Sequence, residues 1–172
     1  MYELLKTRRS IRKFEDKVVE ADKLDTILKC VLMAPSSRDR QPCEFVAVTE
    51  RELLRSLSVS RTMGTEFLAG TGAAVVVLAD PGKSDVWIED ASISALTIQL
   101  VAHSLGLGSC WSQIRERLTP AGRHAEDHVK EVLKIPVRFK VLCIIGLGYP
   151  VVEKPPHDEA DLPLDKLHRN RY

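Results

Sequence analysis

The first basic run of the chain has residue types that bind phosphate: RRSIR occupies residues 8–12. Each arginine offers a planar set of N–H donors that can hold two oxygens at once, and the serine hydroxyl adds another donor. The first 13 residues hold five Lys or Arg side chains and one Glu, a local charge of +4, whereas the whole chain has +1. The pattern predicts a phosphate clamp or a solvated basic turn, and the spacing alone favours the turn.

Polar side chains are also concentrated in the loop PSSRDRQP, residues 35–42. Pro35 ends the preceding helical pattern, and Pro42 favours extended backbone at Gln41. Two serines, two arginines, an aspartate and a glutamine in one restrained loop could hydrogen-bond a polar heterocycle or a sugar. The alternative is an ordinary polar connection, which the loop by itself favours.

A third motif, GLGSCW, occupies residues 106–111. Backbone amides exposed by its glycines could donate to a carbonyl or a ring nitrogen, and Trp111 could form the wall of an apolar pocket. The motif follows a helical pattern and lacks a third glycine, so it is not a dinucleotide-binding fingerprint. It also lacks the G-x-S-x-G order of a nucleophile elbow, and no base is indicated that would activate Cys110.

Metal and acid–base chemistry are not indicated by the remaining motifs. His124 and His128 are four residues apart, but the glutamate of a zinc-protease helix would stand at position 125, which is alanine. We interpret that pair as a solvated helix face without a metal. The four cysteines have no C-x-x-C spacing, which favours reduced thiols. The lack of a candidate acid or base suits a bound cofactor, which requires binding and orientation from the protein.

Hydrophobic periodicity predicts the elements that position these motifs. A helix begins at Ala21 and ends at Pro35, and the capping-box spacing of Thr49 and Glu52 predicts that another helix starts at Thr49. The glycines of 146–150 are expected to break the last strand. The alternation of helices and strands predicts an α/β or α+β sandwich. The predicted strands are 45–48, 75–78 and 141–145, and the other predicted helices are 89–105 and 125–134.

The length of 172 residues predicts one domain, and a composition of 44% hydrophobic and 28% charged residues is ordinary for a globular chain. The balanced charge argues against nucleic-acid binding. No apolar run is long enough to span a membrane and the N-terminus lacks a signal-peptide core, so a cytoplasmic location is expected. Residues 151–172 are polar and proline-rich, which predicts a segment that is disordered or wrapped over a partner subunit.

Taken in order, the motifs resemble those of the FMN-dependent nitroreductase family. The matching segments are RRSIRKF at 8–14, APSSRDRQP at 34–42, GLGSCW at 106–111, IGLGYP at 145–150 and the closing NRY. The resemblance implies an α+β fold, a three-layer α/β/α sandwich around a mixed, mainly antiparallel sheet. It also implies a homodimer with FMN at the interface. Residues 1–150 would form the FMN-binding domain, and residues 151–172 a C-terminal extension exchanged with the partner subunit.

The resemblance further implies three groups of FMN-binding residues. The group at the phosphate and ribityl end is Arg8, Arg9, Ser10 and Arg12. The group that the other subunit places at or near the isoalloxazine ring is Pro35, Ser36, Ser37, Asp39 and Gln41. The group that presents backbone atoms to the reactive edge of the ring is Cys110 and Trp111.

The reaction implied by the resemblance is ping-pong. NADH or NADPH passes hydride to the flavin and leaves, and a small acceptor such as a nitroaromatic or a quinone takes its place. The alternatives are a specialised flavin reductase or dehydrogenase on the same scaffold, and a non-catalytic flavin-binding module.

The chain departs from the family pattern in ways that bear on the site. Asp39 stands where many members have asparagine, and its carboxylate would repel the flavin carbonyls unless it pairs with Arg38 or Arg40. The stretch 57–72 is short, which leaves the acceptor open. A second phosphate clamp near the C-terminus is not evident, and the candidates for it are Lys154, Arg169 and Arg171.

Overall fold

The computed structural model describes all residues, 1–172, and contains five α-helices and four strands. The helices are α1 (Tyr2–Thr7), α2 (Ala21–Leu32), α3 (Arg51–Ser58), α4 (Trp87–Ser104) and α5 (Ala125–Leu133). The strands are β1 (Cys43–Val48), β2 (Ala73–Ala79), β3 (Gly108–Gln113) and β4 (Lys140–Gly148). The three strands predicted from the sequence lie within β1, β2 and β4, whereas no strand was predicted for β3, which begins inside the GLGSCW motif.

The four strands form one sheet in the order β1-β2-β4-β3, and every pairing between them is antiparallel. The only parallel pairing is a single bridge between Ser10 and Ser109. Strand β2 is buried along its whole length, because alternate side chains enter two separate cores on the two faces of the sheet. Helices α2 and α4 cover one face, and α3 and α5 cover the other. The predicted three-layer α+β sandwich is therefore confirmed.

Strand pairing defines two ends of the sheet that matter for function. At one, which we call the cleft end, β2 begins and β4 ends, next to the start of β3 at Gly108. At the other, the loop end, β1 begins at Cys43 beside the end of β2 and the start of β4 at Lys140. The nine residues of β4 separate the two ends by roughly 27 Å at about 3.4 Å per residue. Helix α4 runs from the loop end to the cleft end.

Two local predictions are wrong. Helix α3 starts at Arg51 after Glu50 and has no side-chain cap, so Thr49 and Glu52 do not form a capping box. Strand β4 runs through Gly146 to Gly148 without a break. A Cβ on Gly146 would lie 2.7 Å from the Phe67 ring, so this glycine is needed for close packing of the 66–70 turn against the strand.

Residues 151–172 are exposed throughout and lie along the N-terminal segment of the same chain. The His157 amide donates to the Lys6 carbonyl at 2.8 Å, and the Lys6 ammonium lies 2.8 Å from the Glu159 carboxylate. The segment is thus held on one side by polar contacts, while it contributes nothing to either core. None of the helices combines the length and the apolar character that a bilayer span requires.

Candidate functional site

A cleft of about 280 Å³ opens at the cleft end of the sheet, between the N-terminal run, the end of α4 and the start of the C-terminal segment. Arg8 and Arg9 of the predicted phosphate group line it, together with Lys154 of the C-terminal segment. Glu153 is the one carboxylate in the lining, so the cations outnumber it three to one. The remaining lining residues are Thr7, Ile11, His103, Gly106, Leu107, Gly108, Ser109, Pro150 and Pro156.

Two polar atoms of this cleft are buried without a hydrogen-bond partner, Arg8 Nε and Ser109 Oγ. Leaving a buried donor unpaired costs about 1–3 kcal/mol, so such atoms are rare unless they serve a ligand. Both can donate to an anionic oxygen, and the positive surroundings favour one. Because these two donors are unpaired and the surroundings are cationic, the residues of the cleft fit a phosphate group.

Close backbone packing brings the N-terminal run against β3. The Ile11 amide donates to the Ser109 carbonyl at 3.0 Å, next to the bridge between Ser10 and Ser109. A Cβ on Gly108 would lie 2.9 Å from Ile11, so only glycine permits this approach. Gly106, with φ of +77°, makes the turn between α4 and β3. Gly106 and Gly108 thus allow the N-terminal run to pack closely against β3, which positions Arg8 and Ser10. The motif alone did not indicate this role.

The Cys110 thiol lies within this cationic environment. Burial raises its pKa, while the positive charges of Arg12, Lys154 and Arg8 and a hydrogen bond with Ser10 lower it. The side chain is 1% exposed, so the structure gives it no role as an accessible nucleophile. Because Ser10 and Arg12 both act on this thiol, these two residues of the predicted phosphate group lie close to the same cleft.

Trp111 and Cys110 differ in the direction in which their backbone N–H and C=O groups point. Because the Ser109 carbonyl faces Ile11, alternation along the strand directs the Cys110 backbone toward β4 and the Trp111 backbone to the open edge. The Trp111 indole donates to Gln113 Oε1 at 3.0 Å, which fixes the ring. Of the two residues expected at the reactive edge of a flavin, Trp111 has its backbone N–H at the open edge, while its carbonyl accepts from the Cys110 thiol at 3.7 Å.

The cleft contains residues that the motifs did not indicate. Thr7 Oγ1 lies 2.7 Å from His103 Nε2, which connects α1 to the last turn of α4. His103 precedes the GLGSCW motif by three residues, and that proximity is the signal that could have identified it. Lys154 was one of three candidates for a second clamp, and Arg169 and Arg171 do not line the cleft.

The polar loop 36–41 lies at the loop end of the sheet, and most of its backbone amides find acceptors within the chain. The Ser37 amide donates to Asp90 Oδ1 at 2.8 Å, and the Gln41 amide donates to Ser36 Oγ at 3.0 Å. The backbone φ angles are +53° at Arg38, +53° at Asp39 and +47° at Gln41. Three non-glycine residues with positive φ in four positions are a strained conformation that the surroundings must hold.

Asp39 pairs with neither Arg38 nor Arg40, the two cations that could have compensated its charge. Its carboxylate accepts from the Gln41 side-chain amide at 2.9 Å, while Arg40 pairs with Asp85 at 3.1 Å. The left-handed backbone at Asp39 brings its side chain over Gln41, two residues on. The carboxylate is therefore hydrogen-bonded and remains uncompensated by a cation.

Within one chain, the structure does not bring the predicted site residues together. The residues of the phosphate group lie at the cleft end, whereas none of the residues 35–41 lines the cleft. His103 and Asp90 are separated along α4 by about 20 Å, at 1.5 Å per residue. The two groups could contact one ligand only if they came from two copies of the chain.

Comparison with known proteins gives consistent results. The model of the Nitroreductase family matches residues 5–61 and 54–149. A protein of Archaeoglobus fulgidus, whose name gives it as a candidate NADH dehydrogenase/NAD(P)H nitroreductase, is 34% identical over 174 residues, covering 98% of this chain and 97% of the relative. The structure of an FMN-dependent nitroreductase from Clostridium difficile R20291 matches with a TM-score of 0.97, 48% identity and 100% coverage of both chains. An FMN reductase (NADPH) of Bacillus subtilis is 28% identical over 171 residues, covering 86% of this chain and 65% of the relative.

Proposed function

The chain belongs to the nitroreductase family, and from this membership we propose that it is an NAD(P)H-dependent oxidoreductase that binds FMN. The names of the relatives from Archaeoglobus, Bacillus and Clostridium support this activity and this cofactor. Bound FMN would supply hydride transfer between NAD(P)H and a small acceptor. The chain itself would bind the cofactor, orient it and leave one face open to the two substrates in turn.

The observation that carries the proposal is the pair of buried, unpartnered donors in the cationic cleft. We assign the FMN phosphate to Arg8, Arg9 and Ser109, with Ser10 and Arg12 beside them. Lys154 would supply the second clamp. The phosphate oxygens would accept hydrogen bonds from these donors, and these bonds would replace the hydrogen bonds to water that the donors lose on burial.

The distance between the two ends of the sheet supports a homodimeric site. We propose that one copy supplies the phosphate cleft and Trp111, and that the other supplies Pro35, Ser36, Ser37, Asp39 and Gln41. Large apolar side chains that a monomer would leave in water lie on helices α2 and α4 of the same layer: Leu32 is 66% exposed, Ile93 42% and Leu96 43%. Burying them against a second copy would stabilise the dimer.

We propose a nitroaromatic, a quinone or a related acceptor as the oxidising substrate, reduced in a ping-pong cycle. A flavin reductase is the second candidate, favoured by the similarity to the Bacillus FMN reductase (NADPH). The two differ in the acceptor and share the reduction of the bound flavin by NAD(P)H. A non-catalytic flavin-binding module would share only the binding.

The experiment is an anaerobic absorbance titration of the purified protein. Protein loaded with FMN should show flavin absorbance equal to one FMN per chain, and NADH or NADPH should bleach it. Addition of a nitroaromatic, a quinone or free FMN then identifies the acceptor by the rate at which the colour returns. Protein that takes up no FMN would refute the proposal, and bound flavin that neither nicotinamide bleaches would leave only the binding module.

A further inference from the structure

Asp90 is a buried carboxylate at the start of α4 with no cation paired to it. It is 3% exposed and lies in the first turn of an 18-residue helix, where the helix dipole favours negative charge. No salt bridge involves it among the ion pairs of the chain. A buried charge of this kind is retained where its hydrogen bonds do something that an apolar side chain could not.

The two oxygens of Asp90 hold two separate segments. Oδ1 accepts the Ser37 amide at 2.8 Å, and Oδ2 accepts the Ser84 hydroxyl at 2.9 Å. Ser84 is 1% exposed and belongs to the turn that connects β2 to α4. The carboxylate thereby joins the loop 36–41, the 80–86 turn and the helix at one point.

The loop needs such an anchor because its backbone is strained. Positive φ angles at Arg38, Asp39 and Gln41 follow directly after Ser37. The other connections from this loop to the turn come from the Arg40 guanidinium, which donates to the Lys83 carbonyl at 3.4 Å and pairs with Asp85, a side chain that is 78% exposed. Exposed pairs contribute little, so the part-buried hydrogen bond from the Ser37 amide to the buried Asp90 carboxylate is the stronger restraint on the strained conformation.

We infer that Asp90 is a positioning residue for the cofactor: it fixes Ser36, Ser37 and the following strained turn in the conformation that meets the flavin ring of the partner subunit's site. The inference rests on the proposed function, since it is the loop that Asp90 holds and not Asp90 itself that would touch the flavin. The affinity for FMN would depend on Asp90, because a preorganised loop loses less conformational entropy when the ligand binds.

The test compares Asp90→Ala with Asp90→Asn. An asparagine Oδ1 can still accept the Ser37 amide, and its NH₂ can donate to the Ser84 hydroxyl, so the anchor is kept without the charge. Alanine removes the acceptor of the half-buried Ser37 amide. Asp85→Ala is the matched control, because it removes an exposed carboxylate that contacts the same loop.

Amide hydrogen exchange of peptides covering 36–41, measured without FMN, reports the anchor directly. We expect Asp90→Ala to raise exchange there at least fivefold while peptides of β2 and β4 are unchanged, and we expect Asp90→Asn and Asp85→Ala to stay within twofold of the wild type. With FMN, Asp90→Ala should bind at least fivefold more weakly, with a shifted visible spectrum, and Asp90→Asn should restore both properties.

Unchanged exchange and FMN affinity in Asp90→Ala would overturn the inference, as would equal loss in the alanine and asparagine variants. Exchange raised throughout the protein would also overturn it, because Asp90 would then be a general stability residue. If the alanine variant does not fold, the wild-type protein provides the test: the Ser37 amide should be protected from exchange and the unpaired Arg38 amide should not. Failure of the wild type to bind FMN would refute the proposed function instead, and the FMN-free exchange would still test the anchor.

Discussion

The cleft end and the loop end of the sheet differ in how their polar groups are satisfied. At the cleft end, Arg8 Nε and Ser109 Oγ are buried without partners, and cations surround them. At the loop end, the amides of Ser37 and Gln41 find acceptors within the chain, and the strain is in the backbone angles. The first arrangement suits an anion that comes from outside, whereas the second holds the loop in one conformation by contacts within the chain.

The two ends also act differently on thiols. At the loop end, burial and, to a smaller extent, the charge of Asp90 raise the pKa of Cys43 to about 11, although a hydrogen bond with Ser94 opposes the rise. At the cleft end, the cations around Cys110 oppose the effect of burial on its pKa. The neighbouring charges thus favour the thiolate form of Cys110 at the cleft end and disfavour the thiolate form of Cys43 at the loop end.

The largest expected effect is at the cleft end. Arg8→Ala removes a half-buried cation whose Nε is buried and unpaired, and one hydrogen bond to a charged group contributes about 1.5–3 kcal/mol, so FMN should bind about 10- to 150-fold more weakly. Fluorescence titration of FMN into FMN-free protein measures this change. Arg55→Ala, on the exposed surface of α3, is the matched control and should leave the affinity unaltered. Equal affinity in the two variants would make Arg8 ordinary surface charge.

Thiol alkylation tests the loop end. With a pKa of about 11, the Cys43 thiolate at pH 8 is about 100-fold scarcer than at the ordinary value of 9.0, so iodoacetamide should modify Cys43 about 100-fold more slowly in folded protein than in urea. The folded pKa is the higher one, so this group's contribution to stability is complete below pH 9 and is lost as the pH rises toward 11. Mass spectrometry of the Cys43 peptide gives the rate, and equal rates in folded and unfolded protein would contradict the assignment.

A smaller effect is expected for Lys154, the cation that the C-terminal segment contributes to the cleft. Lys154 is exposed, so Lys154→Ala should weaken FMN binding by about 2- to 5-fold, and the loss should shrink as salt is added. Arg169→Ala, in the same C-terminal segment but outside the cleft, should change nothing. A larger loss in Arg169→Ala than in Lys154→Ala would place the second clamp further along the chain.

The smallest effect concerns Asp39, whose carboxylate has no cation to compensate it. If the loop faces the flavin, Asp39→Asn removes a negative charge that opposes reduction, worth about 1 kcal/mol at 4 Å in water, or roughly 20 mV. The midpoint potential of the bound flavin should rise by about that amount, as measured by equilibration with a reference dye. An unchanged or lowered potential would mean that the side chain does not face the ring.

The comparison also explains which predictions succeeded. Helix α2 was predictable because its periodicity records which face meets the core. Strand β2 was predictable because a continuous β-branched run is typical of a strand covered on both faces. Strand β3 was not, because a strand of glycine, serine and cysteine has no hydrophobic alternation and exists only through pairing with β4. The capping box failed at Thr49 because the spacing of two residues does not fix where a helix starts.

The amino-acid sequence by itself determined the residue types of the site: the arginines and serine of the first run, the polar loop after α2 and the glycines before β3. Their order along the chain was enough to indicate the family and its cofactor. Only the tertiary structure decided that the arginine run and the polar loop lie at opposite ends of the sheet. It also decided that Lys154 joins the cleft and that Asp90 holds the loop. Such placements depend on strand pairing and helix packing between residues far apart in the chain, which local spacing does not encode.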